Sequence, residues 1–302
     1  MMVNQIPFKE FHMLLVNQGL KVALGPFNVC IQTAYQPLAA QLYHLYQHYR
    51  MAQNEIAEFH VRIVTERSIK NPLKKNIRFL LDGQSPFESF PQEQALAALE
   101  WGINLAIAVR VNHLLLLHSA VVERNNHVIL LPAWPGSGKT TLCTVLSYRG
   151  FRLFSDEFGL MNLQQNLFHP IPRLMPLKNE SIAVIRNYLP EITIGKSIPN
   201  TQKGTVAHVC PPQECMRLSK LTAKAKWIFF PKWVADSTTK IEAISDSEAF
   251  MLLASNAFNY EVLGAKGFKA VAYLVHSCNC YKLVYSDFDD VMTALQRLID
   301  EA

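Results

Sequence analysis

Ile129-Leu-Leu-Pro132-Ala133-Trp134-Pro135-Gly136-Ser137-Gly138-Lys139-Thr140-Thr141 is an apolar run that passes through two glycines into a lysine and two hydroxyls. A strand that turns on glycine into a helix aims backbone N–H groups and the helix N-terminus at one point, which suits phosphate. The lysine and hydroxyl then serve phosphate and Mg²⁺. The pattern G-x-x-x-x-G-K-[ST] is met at Gly138, Lys139 and Thr140, with Ala133 in place of its first glycine. Gly136 remains for the tightest part of the turn, and Trp134 and Pro135 stiffen the approach. Val128 to Leu131 reads as a buried strand. Thr140 to Tyr148 reads as a helix that turns Leu142, Val145 and Leu146 inward and stops at Gly150. Residues 133–141 are therefore the candidate phosphate loop, and a Mg-nucleotide is the expected ligand. The plainer alternative is a glycine-rich turn with no ligand, against which strand, lysine, hydroxyl and helix speak together.

Downstream, Phe151-Arg152-Leu153-Phe154-Ser155-Asp156-Glu157-Phe158 reads as a short strand ending in adjacent carboxylates. The short helix between predicts that this strand neighbours the loop strand and brings its carboxyl end to the phosphates. Adjacent side chains at a strand end diverge, so one acid can reach Mg²⁺ while the other accepts a proton from an incoming hydroxyl. The bland reading is an exposed acidic turn. Upstream, the apolar run from His113 to Glu123 and the strand from Val128 are joined by Arg124-Asn125-Asn126-His127, a hairpin signal. The loop strand therefore has an antiparallel partner, on which His118 sits. A lone histidine there is more often a packed core or edge residue than a functional one.

A histidine-led strand, a hairpin, a phosphate loop, a short helix ending in Arg149-Gly150, and then Arg152-Leu-x-Ser155-Asp156-acid form an order that resembles the HPr kinase family. The likeness is closest to the group called HprK-related kinase A. It extends through Glu100-Trp101-Gly102, Leu177-Lys178-Asn179, Lys203-Gly204-Thr205-Val206-Ala207-His208 and Asn259-Tyr260. The resemblance implies an α/β fold: a mixed-sheet P-loop kinase core of the HPr kinase and phosphoenolpyruvate carboxykinase type over residues 91–302, beside a smaller N-terminal α/β domain over residues 1–90. It implies an ATP- and Mg²⁺-dependent kinase acting on a serine hydroxyl of a small protein or peptide. Asp156 falls at the general base and Glu157 at the metal-assisting acid, where those enzymes usually carry aspartate. Lys139 and Thr140 fall at the phosphate lysine and metal hydroxyl, and His118 at the strand histidine. Thr140, Glu157 and Asp156 form the metal-facing set. A homo-oligomer is expected by the same analogy.

The Glu-x-Arg-Gly-Leu-Gly signature of HPr kinases is missing after the acid pair. Pro170-Ile-Pro-Arg173-Leu-Met-Pro-Leu-Lys178-Asn179-Glu180 stands there instead. Arg173 and Lys178 are candidates for the cation that phosphoryl transfer needs, with solvated surface cations as the alternative. Lys203 is a further candidate phosphate contact, in a segment from Tyr188 to Pro212 that reads as a mobile loop over the nucleotide. Two other functions remain open. One is a small-molecule kinase of the shikimate or nucleotide-monophosphate type, which also carries acids after the loop helix but would bring an arginine-rich lid not evident here. The other is a nucleotide-binding switch without transfer activity.

With 302 residues, half of them hydrophobic, the chain can bury one large core or two modest ones. Its net charge of +5 is mild and scattered, so no nucleic-acid partner is expected. No apolar stretch is long enough for a membrane span and the N-terminus lacks a signal pattern, from which a cytoplasmic location is expected. Six dispersed cysteines read as free thiols. His208, Cys210 and Cys215 with His276, Cys278 and Cys280 lack the C-x-x-C spacing of a zinc site. Elsewhere the pattern predicts a hairpin at Gly25-Pro26, a helix over 38–49, strands over 58–64 and 77–81, and a boundary at 83–92. A helix over 94–109 follows, then strands over 227–231, 270–276 and 282–285, with helices over 246–256 and 288–299.

Overall fold

The computed structural model describes residues 1–67, 75–134 and 136–301. They form two compact units, Met1–Arg110 with Pro176–Cys210, and Val111–Met175 with Pro211–Ala302. Both are mixed α/β. No helix among the described residues is long and apolar enough to cross a membrane.

The first unit opens with α1 (Phe8–Asn17) and the expected hairpin, β1 (Leu20–Leu24) and β2 (Phe27–Thr33), turning at Gly25 with φ 58°. Helix α2 (Gln36–Leu45), with Pro37 preset in its first turn, returns the chain to β3 (Phe59–Arg67), parallel to β2. Then come β4 (Lys75–Leu81), the short β5 (Phe90–Pro91) and α3 (Ala95–Arg110), in a five-stranded sheet ordered β1-β2-β3-β4-β5. Helix α2 stops short of the expected Tyr49. Tyr46 and Tyr49 stay buried beyond its end with rings stacked at 4.1 Å, so the apolar spacing outlives the helix.

The second unit begins with β6 (Leu114–Arg124) and β7 (His127–Pro132), paired antiparallel. Asn125 and Asn126, at φ 54° and 62°, make the two-residue turn whose left-handed backbone matches strand twist. Helix α4 (Lys139–Tyr148) follows the glycine loop, and Gly150 at φ 97° releases the chain into β8 (Arg152–Ser155), β9 (Phe158–Asn162) and β10 (Phe168–His169). The expected short strand that ends at the acid pair is β8, but it does not adjoin β7, and β9 begins beyond the acids. Strand β6 is long enough to pair with β9 along its first half and β8 along its second, and its hairpin partnership already occupies that edge of β7. Because β8 is antiparallel to β6, it runs in the same direction as β7, and both end at the same edge of the sheet.

Strand β11 (Met175–Lys178), helix α5 (Glu180–Tyr188), β12 (Ile198–Thr201) and β13 (Gly204–Val209) come next, with the strands in a three-stranded sheet ordered β11-β13-β12. The mobile loop expected from Tyr188 to Pro212 is therefore largely a hairpin. Its turn is polar, while Val206, Ala207 and Val209 are fully buried behind it.

The chain closes with α6 (Gln213–Arg217), β14 (Lys224–Trp233), β15 (Lys240–Ala243), α7 (Asp246–Ser255), α8 (Tyr260–Leu263), α9 (Ala265–Ser277), β16 (Asn279–Tyr285) and α10 (Phe288–Asp300). The expected strand over 270–276 is helical. Ala270, Val271, Leu274 and Val275 are its buried residues, the spacing of a helix face, which a continuous apolar run disguises. Strand β14 lies parallel to both β7 and β16, giving the order β10-β9-β6-β7-β14-β16-β15 with β8 beside β6. Val128 and Leu130 of β7 join Ala249, Leu253, Val271 and Leu274 in one core, while Ile129 and Leu131 are equally buried on the strand's other face. A strand covered on both faces needs no polar alternation, which explains the unbroken apolar runs in β6 and β7.

Candidate functional site

The site is assembled where β7 and β8 end. Beyond β7, Ala133 is buried and Trp134 is exposed, whereas Pro135 lies outside the described residues. Gly136 and Gly138 both hold left-handed backbone, at φ 89° and 85°. At Gly136 an added Cβ meets nothing within 4 Å, whereas at Gly138 it would lie 2.6 Å from the Tyr285 hydroxyl and 3.0 Å from Trp233 Cβ. Gly138 is the N-cap of α4, and no side chain caps that helix. Its first-turn N–H groups are thus left to an anion, which the helix dipole also favours. Lys139, the first helical residue, is only 8% exposed, while the Ser137 hydroxyl is buried with no hydrogen-bond partner among the described residues. Thr141 follows on the first turn of α4.

The Thr140 hydroxyl donates to Asp156 Oδ2 at 3.2 Å. Asp156 is 5% exposed and sits in the turn between β8 and β9. Ser155 Oγ makes that turn by accepting from the backbone N–H of Glu157 at 3.2 Å and of Phe158 at 2.9 Å. The adjacent acids then diverge: Asp156 faces the loop helix, and Glu157 Oε1 lies 3.6 Å from His118 Nε2. His118 is fixed by its backbone N–H donating to Asn256 O at 2.6 Å, with its ring 5.4 Å from that of Phe258. Cys143, on the buried face of α4, donates its thiol to Ser155 O at 3.7 Å, just before the acids. Burial, reinforced by the negative charge of Asp156, pushes its thiol well above the ordinary range, so it stays protonated.

Strand order explains how residues far apart in sequence meet. β6 lies between β7 and β8, and its Ser119 hydroxyl accepts from Leu131 N–H at 3.0 Å while its backbone N–H donates to Glu157 O at 3.3 Å. One residue therefore braces the ends of both functional strands. Two further residues complete the loop, and no local pattern announced either. Tyr285, at the end of β16, donates its hydroxyl to Gly138 O at 3.2 Å. Its burial pushes the phenol pKa upward and keeps it a donor. Trp233, at the end of β14, donates its backbone N–H to Ser137 O at 2.9 Å. The only sequence signal for them is that each ends an apolar strand later found beside β7.

The other candidates fall in both units. Arg173 is buried in the second unit, two residues after Ile171, whose N–H bonds to Phe154 O at 2.7 Å alongside β8. Lys178 and Lys203 belong to the first unit: Lys178 is exposed, and the Lys203 ammonium lies 5.4 Å from the Trp101 ring centroid.

A hydroxyl and a carboxylate in contact at the N-terminus of α4 are oxygen donors of the kind Mg²⁺ prefers. Among the described residues no group of three or more His, Cys, Asp and Glu side chains is placed to hold a metal ion. Thr140 and Asp156 therefore suit a cation that completes its shell with nucleotide phosphates and water, as Mg²⁺ commonly does.

No protein-family model matches this chain, and no curated protein matches it. Among solved structures, it is similar to the Hpr(Ser) kinase/phosphatase from Coxiella burnetii, at 12% sequence identity and a TM-score of 0.28, over 62% of this chain and 99% of that one. Similarity of that degree establishes no residue-by-residue correspondence between the two chains.

Proposed function

We propose that this protein is a Mg-ATP-dependent phosphotransferase of the HPr kinase type that phosphorylates a serine hydroxyl on a small protein or peptide. The observation that carries this reading is the hydrogen bond from Thr140 to Asp156, which couples the first turn of the phosphate-loop helix to a buried carboxylate. The loop N–H groups and Lys139 bind the phosphates. Thr140 and Asp156 hold Mg²⁺, with Glu157 beside them, and the ion when bound neutralises charge on the phosphate oxygens. Asp156, through its second carboxylate oxygen, accepts the proton of the attacking hydroxyl. Glu157 and His118 flank that acid and orient the acceptor side. Burial of Lys139 and Asp156 keeps water from competing with these contacts. Arg173 supplies a further positive charge from the same unit.

The test is transfer from γ-labelled ATP to candidate small proteins and peptides, with phosphoserine located by mass spectrometry. Asp156→Asn still accepts the Thr140 hydrogen bond but takes no proton. It is expected to lower the transfer rate by about 10²–10⁴-fold, while ATP still binds through the loop N–H groups and Lys139, weakened only by the poorer Mg²⁺ contact. A variant that transfers phosphate at the parental rate removes Asp156 from the role of base. Turnover of small metabolites in place of any protein substrate would point instead to the small-molecule kinase.

A further inference from the structure

Strand β14 adjoins β7 on the side away from the acids, since β6 and β8 lie on the other side. A triphosphate whose terminal end meets Thr140 and Asp156 must lead its nucleoside away from them, toward the ends of β14 and β16. At the end of β14 stands Trp233, 48% exposed. Trp227, on the same strand, is only 2% exposed, so exposure belongs to the loop end of β14 and not to its apolar character.

Trp233 is also held in place. Its backbone N–H bonds to Ser137 O at 2.9 Å, its indole N–H donates to Ser286 O at 3.2 Å, and its Cβ lies 3.0 Å from where a Cβ on Gly138 would stand. The backbone bond ties it to the phosphate loop, and the indole bond fixes the swivel of the ring. Ser286 is itself anchored, its hydroxyl donating to Ser237 O at 2.8 Å. A large aromatic surface kept in water, oriented by its one polar atom and joined to a phosphate loop, is a stacking surface for a planar ligand.

We propose that the indole of Trp233 is the platform on which the base of the bound nucleotide stacks. This rests on the reading of residues 133–141 as a nucleotide phosphate site and adds the base-recognising part of it. Stacking accepts any base, and purines present the larger face, so ATP and GTP are the natural occupants.

The experiment is calorimetric titration of the full chain, with Mg²⁺ present, using ATP and using inorganic tripolyphosphate, which has phosphates and no base. Parental protein is expected to bind ATP more tightly than tripolyphosphate. Trp233→Ala should weaken ATP by about five- to a hundredfold, the range of one base–aromatic stack, and leave tripolyphosphate affinity unchanged. Trp233→Phe, which keeps an aromatic face but loses the Ser286 bond, should recover most of the ATP affinity. Three results overturn the platform while leaving the phosphate site standing: ATP binding no tighter than tripolyphosphate in the parent, ATP affinity unchanged in Trp233→Ala, or equal weakening of both ligands. The last would mean that the side chain acts only by packing against Gly138. If the parent binds neither ligand, the phosphate reading fails and the platform falls with it.

Discussion

Gly136 and Gly138 share a left-handed backbone but not their surroundings, and the difference separates two reasons for glycine in one loop. An alanine at either position meets a backbone cost of about 1–2 kcal/mol. At Gly138 the methyl group also meets Tyr285 and Trp233, and overpacking a tight site adds about 1–3 kcal/mol. Gly138→Ala is therefore expected to lower the unfolding free energy by more than Gly136→Ala, and to weaken nucleotide binding by displacing Tyr285 from Gly138 O. Denaturant unfolding and ATP titration of both variants check this; equal losses would mean that close approach is not why glycine stands at 138. The sequence made Lys139, Thr140 and Asp156 legible because their chemistry is local: a short motif, then an acid pair one helix later. Tyr285 and Trp233 were illegible because only strand order brings the ends of β16 and β14 to the loop. Nor does the polar segment around Lys203 announce that its ammonium lies beside the Trp101 ring.

Elements with their own turn chemistry were readable, as with the Asn125-Asn126 hairpin that sets the loop strand in an antiparallel pair. The helix over Ala270 to His276 was not, because a short apolar run satisfies strand and helix alike, and the helix extends back to Ala265 through residues that carry no strand signal. The placement of β8 also escaped local reading, because it depends on β6 being long enough to serve two partners. The start of β6 is anchored by Asn259 at the head of α8. Asn259 is 2% exposed, accepts from Leu116 N–H at 3.0 Å and donates to Leu114 O at 2.8 Å and Val111 O at 3.2 Å. Truncation leaves a buried N–H and buried carbonyls unsatisfied, each costing about 1–3 kcal/mol where water cannot enter. Asn259→Ala is accordingly expected to destabilise the chain by at least about 2 kcal/mol, read as a lower denaturant midpoint. A midpoint within error of the parent would show that water replaces the side chain and that α8 does not anchor β6.

Over the whole molecule, the two units share a chemical trait: the free thiols that composition suggested behave as core residues. Burial pushes the thiol of Cys210, in the first unit, up to about 12 and that of Cys215, in the second, up to about 11, from an ordinary value of 9.0. Below pH 9 these thiols are protonated whether the chain is folded or not, and they make no pH-dependent contribution. As pH rises past 9 the unfolded chain releases their protons while the folded chain keeps them. The unfolded state then binds fewer protons and stability falls, by up to about 1.4 kcal/mol per thiol for each pH unit. The window closes for Cys215 near pH 11 and for Cys210 near pH 12, where the folded thiols ionise in turn. Denaturant midpoints at pH 8, 9, 10 and 11 are expected to decline more steeply for the parental chain than for a Cys210→Ala, Cys215→Ala double variant, once each series is referred to its own value at pH 8. Parallel declines would assign the alkaline loss to other groups and show that both thiols reach water before the chain unfolds.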